Sequence, residues 1–232
     1  KVTQVMVTTS KDGSYITYLS KNGKTPESKV MKSSSSNIYM LLPKNKANNT
    51  KLICPVASLE KKAYTDGSKV MYVKKANTDA EKITSYDSYV TISFDYKMLY
   101  YKDGGDLCYR KLKVGADKLT VAEDISTFGI STNGKKIYYI DNDKTLFYKK
   151  GPKAKAKKVH DDVKLLTVTF KDIALYITDD ETLYYAKTSK GKKIASDVEL
   201  VFAAPNFALY ATDETAYISN GTKKFKKFIN KP

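Results

Sequence analysis

The groups in this chain that could do acid–base or metal chemistry are unevenly supplied: 25 carboxylates, one histidine and two cysteines. The carboxylates gather in short clusters. One set reads "DGGD" with Asp103 and Asp106, "DNDK" with Asp141 and Asp143, "TDDE" with Asp179 and Asp180, and "TDET" with Asp213 and Glu214. A second set reads "AEDI" with Asp124, "HDDV" with Asp161 and Asp162, and "ASDV" with Asp197. Oxygen ligands alone could hold a hard cation in such clusters. Paired carboxylates at a fixed separation could hydrolyse glycosides. The same residues are also the ordinary chemistry of tight turns, because Asp hydrogen-bonds its own backbone and tolerates left-handed φ. With a single histidine and two cysteines, a zinc site built from those ligands is not expected. No P-loop, GxGxxG or nucleophile elbow occurs, so the chain offers no motif for a cofactor or for acyl transfer.

The elements that carry these clusters repeat. A tyrosine in a short apolar stretch recurs as Tyr18, Tyr72, Tyr100, Tyr138, Tyr176 and Tyr210, at steps of 54, 28, 38, 38 and 34 residues. A period near 40 holding several short strands is the signature of a β-propeller. The clearest unit reads strand by strand: 126–131, 135–140, 145–150 and 156–160, with "TNG", "DNDK" and "GPKAK" as the connections. "IYYI" and "LYY" are apolar on both faces, as strands covered on both sides must be. The expected fold is all-β: one propeller domain over 1–232, with six blades of about four antiparallel strands and a reduced second blade. A five-bladed or open form is the alternative. The blades fall at about 1–56, 57–86, 87–124, 125–162, 163–197 and 198–232. Two outlying steps suggest that blade 1 carries an insertion, "SKNGKTPESKVMKSSSSN", and that its neighbour lacks a strand. "TQVMVTT" reads as a first strand and "KKFKKFIN" as a last one, so first and last blades would pack without sharing a strand.

The repeat assigns the remaining reactive groups. His160 shares its column with Ala122, Ala195 and Cys54, and a column that accepts alanine reads as blade-edge packing. Cys108 stands where sister blades have Phe147, Tyr184 and Tyr217, and reads as a small buried hydrophobe. Cys54 and Cys108 fall in non-adjacent blades, so no disulfide between them is expected.

The succession "NGKKIYYID", "TLYY", a lysine-rich loop and "IASDV" resembles bacterial six-bladed propellers of the TolB-like and YWTD-like sort. It looks most like propeller domains of surface-anchored proteins of Gram-positive bacteria. The resemblance covers 88–227 well and the first 87 residues loosely. "YYID" and "LYIT" stand where the YWTD tetrapeptide would, so no ligand and no functional residue is carried over.

The formal charge is +16, from 41 basic residues of which only Arg110 is an arginine. Specific nucleic-acid readout favours arginine's planar fork, so that partner class is disfavoured; lysine spread over a surface instead attracts polyanions diffusely. No apolar stretch is long enough to span a membrane. The chain opens on Lys1, without a methionine or a signal pattern, which suggests a trimmed or a mature domain whose anchor or signal would lie upstream.

Loop type sorts the charge. In a propeller the second-to-third-strand hairpins and the blade-to-blade connections emerge together, and these are the two acidic sets above. The opposite connections, "TNGKK", "KKGPKAKAKK", "KTSKGKK" and "SNGTKK", are basic. The twelve acids of the first paragraph therefore form a candidate binding rim opposite a lysine-rich end. The expectation is a non-catalytic, monomeric binding or sensing module, extracytoplasmic and anchored. It would engage a protein, a glycan or an anionic envelope surface. The alternative is a propeller-type glycan hydrolase or lyase with carboxylates at the channel mouth.

Overall fold

Segments rich in Tyr, Ile, Val and Thr alternate with turns rich in Asp, Asn and Gly, and such segments favour the pleated, half-buried setting of a sheet. In a computed structural model the described residues form 24 strands in six sheets. Backbone is described for residues 2–10, 13–22, 25–32, 38–40, 51–52, 62–66, 68–73, 81–93, 97–169, 171–203 and 207–230. Side chains are described for 68–70, 81–93, 97–169, 171–203 and 207–227.

The first sheet holds β1 (Val2–Ser10), β2 (Gly13–Asn22), β3 (Thr25–Lys32) and β4 (Ile38–Met40). The second holds β5 (Lys51–Leu52), β6 (Lys62–Asp66), β7 (Lys69–Val73) and β8 (Glu81–Ser85). The third holds β9 (Val90–Ile92), β10 (Met98–Asp103), β11 (Asp106–Lys111) and β12 (Leu119–Ala122). The fourth holds β13 (Ile125–Ile130), β14 (Ile137–Asp141), β15 (Leu146–Lys149) and β16 (Lys157–His160). The fifth holds β17 (Val163–Val168), β18 (Ala174–Thr178), β19 (Leu183–Ala186) and β20 (Gly191–Ala195). The sixth holds β21 (Leu200–Ala203), β22 (Ala208–Ala211), β23 (Thr215–Ser219) and β24 (Lys226–Asn230). Strand order in every sheet follows chain order. The chain divides into two compact units, Lys1–Asp103 with Arg110–Lys118, and Gly104–Tyr109 with Leu119–Pro232.

The fourth sheet lies within two residues of its sequence reading throughout. The first two sheets differ from theirs. The segment read as an insertion contains β3, paired with β2 along its whole length. The second sheet is reduced at its first strand, the two residues of β5, rather than short of one strand. Lys51–Leu52 pairs with β6, so this sheet begins before residue 57, where its blade was expected to start. Tyr72 lies on the third strand of its sheet, and the position equivalent to the other marker tyrosines is Tyr64 on β6. The outlying steps of the marker thereby become 46 and 36 residues. The cause is turn chemistry: "TDGSK" reads equally well as an entry turn or as the central hairpin.

In the second unit, β18 is buried along its whole length. Its alternate side chains serve two cores. Ala174 and Tyr176 pack with Tyr138, Ile140 and Leu146 of the preceding sheet and with Val163 of their own. Leu175 and Ile177 pack with Val198, Val201, Ala208 and Tyr210 toward the next. This period-two division is why the strand shows no oil-and-water alternation in sequence. Aromatic pairs follow strand register. Tyr138 faces Tyr148, Tyr176 faces Tyr184 and Tyr210 faces Tyr217, with ring centroids 5.2, 5.4 and 4.6 Å apart. Cross-strand aromatic pairs each contribute roughly 0.5–1.5 kcal/mol beyond the area they bury.

In the first unit, Arg110 has a structural task. Its Nε donates to the Tyr101 hydroxyl at 3.0 Å and its guanidinium donates to the Ala116 carbonyl at 2.7 Å.

Candidate functional site

The acidic turns are held by a repeating backbone lattice. In the second unit, the Ile125 amide donates to the Gly105 carbonyl, Val163 to Lys144, and Val198 to Glu181, at 3.0, 2.9 and 2.8 Å. The amides of Asn142 and Asp179 donate back to the carbonyls of Asp124 and Asp162 at 3.1 and 2.7 Å. Each sheet-to-sheet connection is thus stitched to central hairpins, so these two sets of turns share one end of their sheets. Asp124, Asp162 and Asp197 have φ of 47°, 54° and 56°. Each precedes a buried Ile125, Val163 or Val198. The recurring "D-[I/V]" is therefore a left-handed turn residue followed by a core anchor.

Six of the other nine rim acids also make local bonds. Asp141 Oδ1 accepts from the Thr145 amide at 2.8 Å, and Asp106 Oδ1 from the Asp124 amide at 3.2 Å. Asp180 accepts from the hydroxyls of Thr178 and Thr182, which hold its carboxyl below the usual range, the Thr178 bond foremost. Asp103 pairs with Lys118 at 2.8 Å, and Asp179 with Lys144 and Asp161 with Lys158 both at 2.7 Å. The Lys158 bond leads in lowering the Asp161 carboxyl. Lys164 meets Glu181 at 3.3 Å. Asp143, Asp213 and Glu214 stand exposed in their hairpins. In the second unit this end therefore mixes signs: Lys144, Lys158 and Lys164 stand among the acids.

The two reactive groups assigned by the repeat sit where packing requires them. The His160 ring lies 4.8 Å from the Tyr184 ring and 5.7 Å from the Tyr176 ring of the next sheet. Its Nδ1 is 2.7 Å from the Asp161 carbonyl, which can only accept, so that nitrogen carries a proton and donates. Cys108 is fully buried, with Sγ 3.8 Å from the Asp106 carbonyl. Cys54 lies outside the described residues.

The opposite end of the same sheets is built differently. Its described turns in the second unit carry Lys135, Lys136, Lys150, Lys153, Lys155, Lys171, Lys187, Lys190, Lys223 and Lys224, against one acid, Asp172. Asp172 Oδ1 is occupied by the Thr132 amide and hydroxyl at 2.8 and 2.9 Å. Here the fifth and sixth sheets frame a cleft of about 720 Å³, lined by Lys171, Ile173, Lys187, Ser219, Asn220, Thr222, Lys223, Lys224 and Lys226.

The walls of this cleft are preorganised. Gly221 turns at φ 76°, and a Cβ there would lie 3.9 Å from Lys171 Cγ and Thr169 Cβ, so the two turns are in close approach. The Ser219 hydroxyl donates to the Thr222 carbonyl at 2.9 Å, the Thr222 hydroxyl donates to Asn220 Oδ1 at 3.1 Å, and Thr222 Oγ1 lies 3.3 Å from the Lys224 amide. Lys223 Nζ donates to the Tyr185 hydroxyl at 3.0 Å and stands 5.2 Å over its ring. That bond, with the fields of Lys223, Lys192 and Lys187, lowers the Tyr185 phenol.

Sequence reasoning identified the basic loops but placed its candidate residues on the acidic rim, and so missed this cleft. "SNGTKK" and the lysine of "KTSKGKK" carry most of it. Lys171 could be added only once adjacent sheets were set side by side.

No protein-family model and no curated protein matches the chain. Solved structures do. The β-propeller domain of Cps50 (Swd1) from Myceliophteria thermophila matches at TM-score 0.60 and 9% identity, covering 100% of this chain and 89% of that one. Hsv2p of Kluyveromyces lactis matches at TM-score 0.60 and 10% identity, covering 95% and 75%. A chain of a nidogen/laminin complex matches at TM-score 0.50 and 10% identity, covering 91% and 92%. At these identities the likeness is one of fold: the sheets are blades of a β-propeller.

Proposed function

We propose that this propeller is a non-catalytic binding module whose lysine-rich loop end docks on an anionic partner surface. The observation that carries this reading is the sorting of charge by loop end in the second unit. One end neutralises much of its charge with internal ion pairs; the other gathers ten turn lysines around one occupied aspartate. A field of one sign concentrates ligands of the other sign, and the compact state bears its self-repulsion. One similar solved structure is of a nidogen/laminin complex, which supports a binding role over a catalytic one. In this reading the chain is the extracytoplasmic part of an anchored bacterial protein and the partner is the anionic envelope. The acidic rim, with Asp143 and Asp213 most open, is left for a protein or glycan ligand.

Co-sedimentation with phosphatidylglycerol vesicles, against phosphatidylcholine vesicles, tests it. Binding to the anionic vesicles only is expected. It should fall as salt shortens the screening length to a few ångströms, about 3 Å at 1 M. Lys153→Glu with Lys155→Glu should weaken it; Asp143→Asn with Asp213→Asn should not. Equal loss from both pairs would refute the assignment of ends.

A further inference from the structure

The cleft between the fifth and sixth sheets goes further than a charged surface. Lys171 and Lys187 come from one blade and Lys223, Lys224 and Lys226 from the next, and all five reach one concavity of about 720 Å³. None of the five pairs with a carboxylate among the described residues, and no acid lines the cleft. Five lysines lining one cleft without a counter-charge, the Lys223 ammonium held by the Tyr185 hydroxyl, repel one another and destabilise the free protein. The hydroxyls that could have softened the field are instead spent bracing the turn. Such a group is complete only with a multiply charged anion between its walls.

The chemistry selects the anion. Lysine is a compact point charge with three rotatable donors and binds phosphate oxygens from several directions, without the planar fork that carboxylate or base recognition exploits. The volume falls in the range of small-molecule sites, about 300–1,000 Å³, far more than one phosphate fills. Charge and volume together call for several phosphate groups on a short chain. We infer that this cleft is a specific site for a polyphosphorylated ligand, one that spans the two blades with successive phosphates on Lys171 and Lys187 and on Lys223, Lys224 and Lys226. The site rests on the reading that the basic end is the working end, and gives that end a defined pocket in place of a diffuse field.

The test is calorimetric titration of the whole chain with inorganic tripolyphosphate and, separately, orthophosphate. Tripolyphosphate is expected to bind one per chain and more tightly than orthophosphate. Lys187→Gln with Lys224→Gln, both exposed and so tolerated by the fold, should weaken it roughly tenfold to a hundredfold, as loss of two charged contacts implies. Lys69→Gln with Lys82→Gln removes the same charge from exposed positions in the first unit and should change affinity less than about threefold. Equal weakening by the two pairs, or no tripolyphosphate binding by a protein that still sediments with anionic vesicles, overturns the cleft and leaves the docking end standing. Loss of vesicle binding with tripolyphosphate still held in the cleft does the reverse. A single-stranded oligonucleotide that binds more tightly than tripolyphosphate, through the same two lysines, overturns the ligand class.

Discussion

The Tyr176 hydroxyl is buried with no hydrogen-bond partner among the described residues, although its ring is among the best packed in the molecule. It sits where a Cβ on Gly191 would come within 1.9 Å, so the strand approaches it through glycine's missing side chain. The corresponding Tyr138 hydroxyl does find the Ala186 carbonyl, at 3.4 Å. An orphaned buried hydroxyl costs about 1–3 kcal/mol, so Tyr176→Phe should be neutral or stabilising by up to that amount in denaturant unfolding. The pH dependence separates this from simple repacking. Burial pushes the Tyr138 and Tyr176 phenols well above their usual value, so both stay protonated in the fold while the unfolded chain loses its protons near pH 10. Their contribution is complete below that pH and is lost as pH rises through it, at about 1.4 kcal/mol per pH unit for each phenol. Tyr176→Phe should flatten that alkaline decline by one phenol's share. A destabilised variant would show that the hydroxyl is bonded after all, and an unchanged slope would show that burial does not raise this phenol.

At the scale of elements, the strands of the last four sheets are legible in sequence because hairpin chemistry and apolar runs agree there, as in "KKIYYIDNDKTLFYKK". The second sheet was misread because "TDG" fits two turns at once; only pairing with β5 fixes Tyr64 as the marker. The acidic rim was legible as composition but not as purpose, since a single strand cannot show that Asp124, Asp162 and Asp197 share a left-handed φ. A left-handed backbone costs most side chains about 1–2 kcal/mol and costs Gly, Asn and Asp little. Asp162→Val should therefore lower stability by about that much, with Asp162→Gly and Asp162→Asn near wild type in the same unfolding assay. If Asn is as damaging as Val, the negative charge rather than the turn is what this position supplies. The cleft was illegible for a different reason: it exists only between blades, and repeat analysis aligns blades without placing them side by side.

At the scale of the whole molecule, a charge of +16 with sorted loop ends sets binding against stability. Ion pairs such as Lys144–Asp179 neutralise one end within the fold, whereas the cleft lysines can be neutralised only from outside. Removing two of them should then act in opposite directions according to what is present. In low-salt buffer without polyanion, Lys187→Gln with Lys224→Gln relieves repulsion and should raise the melting temperature. Added salt should raise the wild type toward the variant, because screening reaches about 10 Å at 0.1 M and less above it. With saturating tripolyphosphate the order should invert. A ligand that binds only the folded state stabilises by RT ln(1 + [L]/Kd), about 2.7 kcal/mol at a hundredfold excess over Kd, and the variant forfeits much of that. Melting curves on the two proteins, with and without polyanion, read both limbs. A variant that is less stable than wild type in low salt would mean that the five lysines are held by bonds within the fold, and that the cleft is not waiting for a counter-charge.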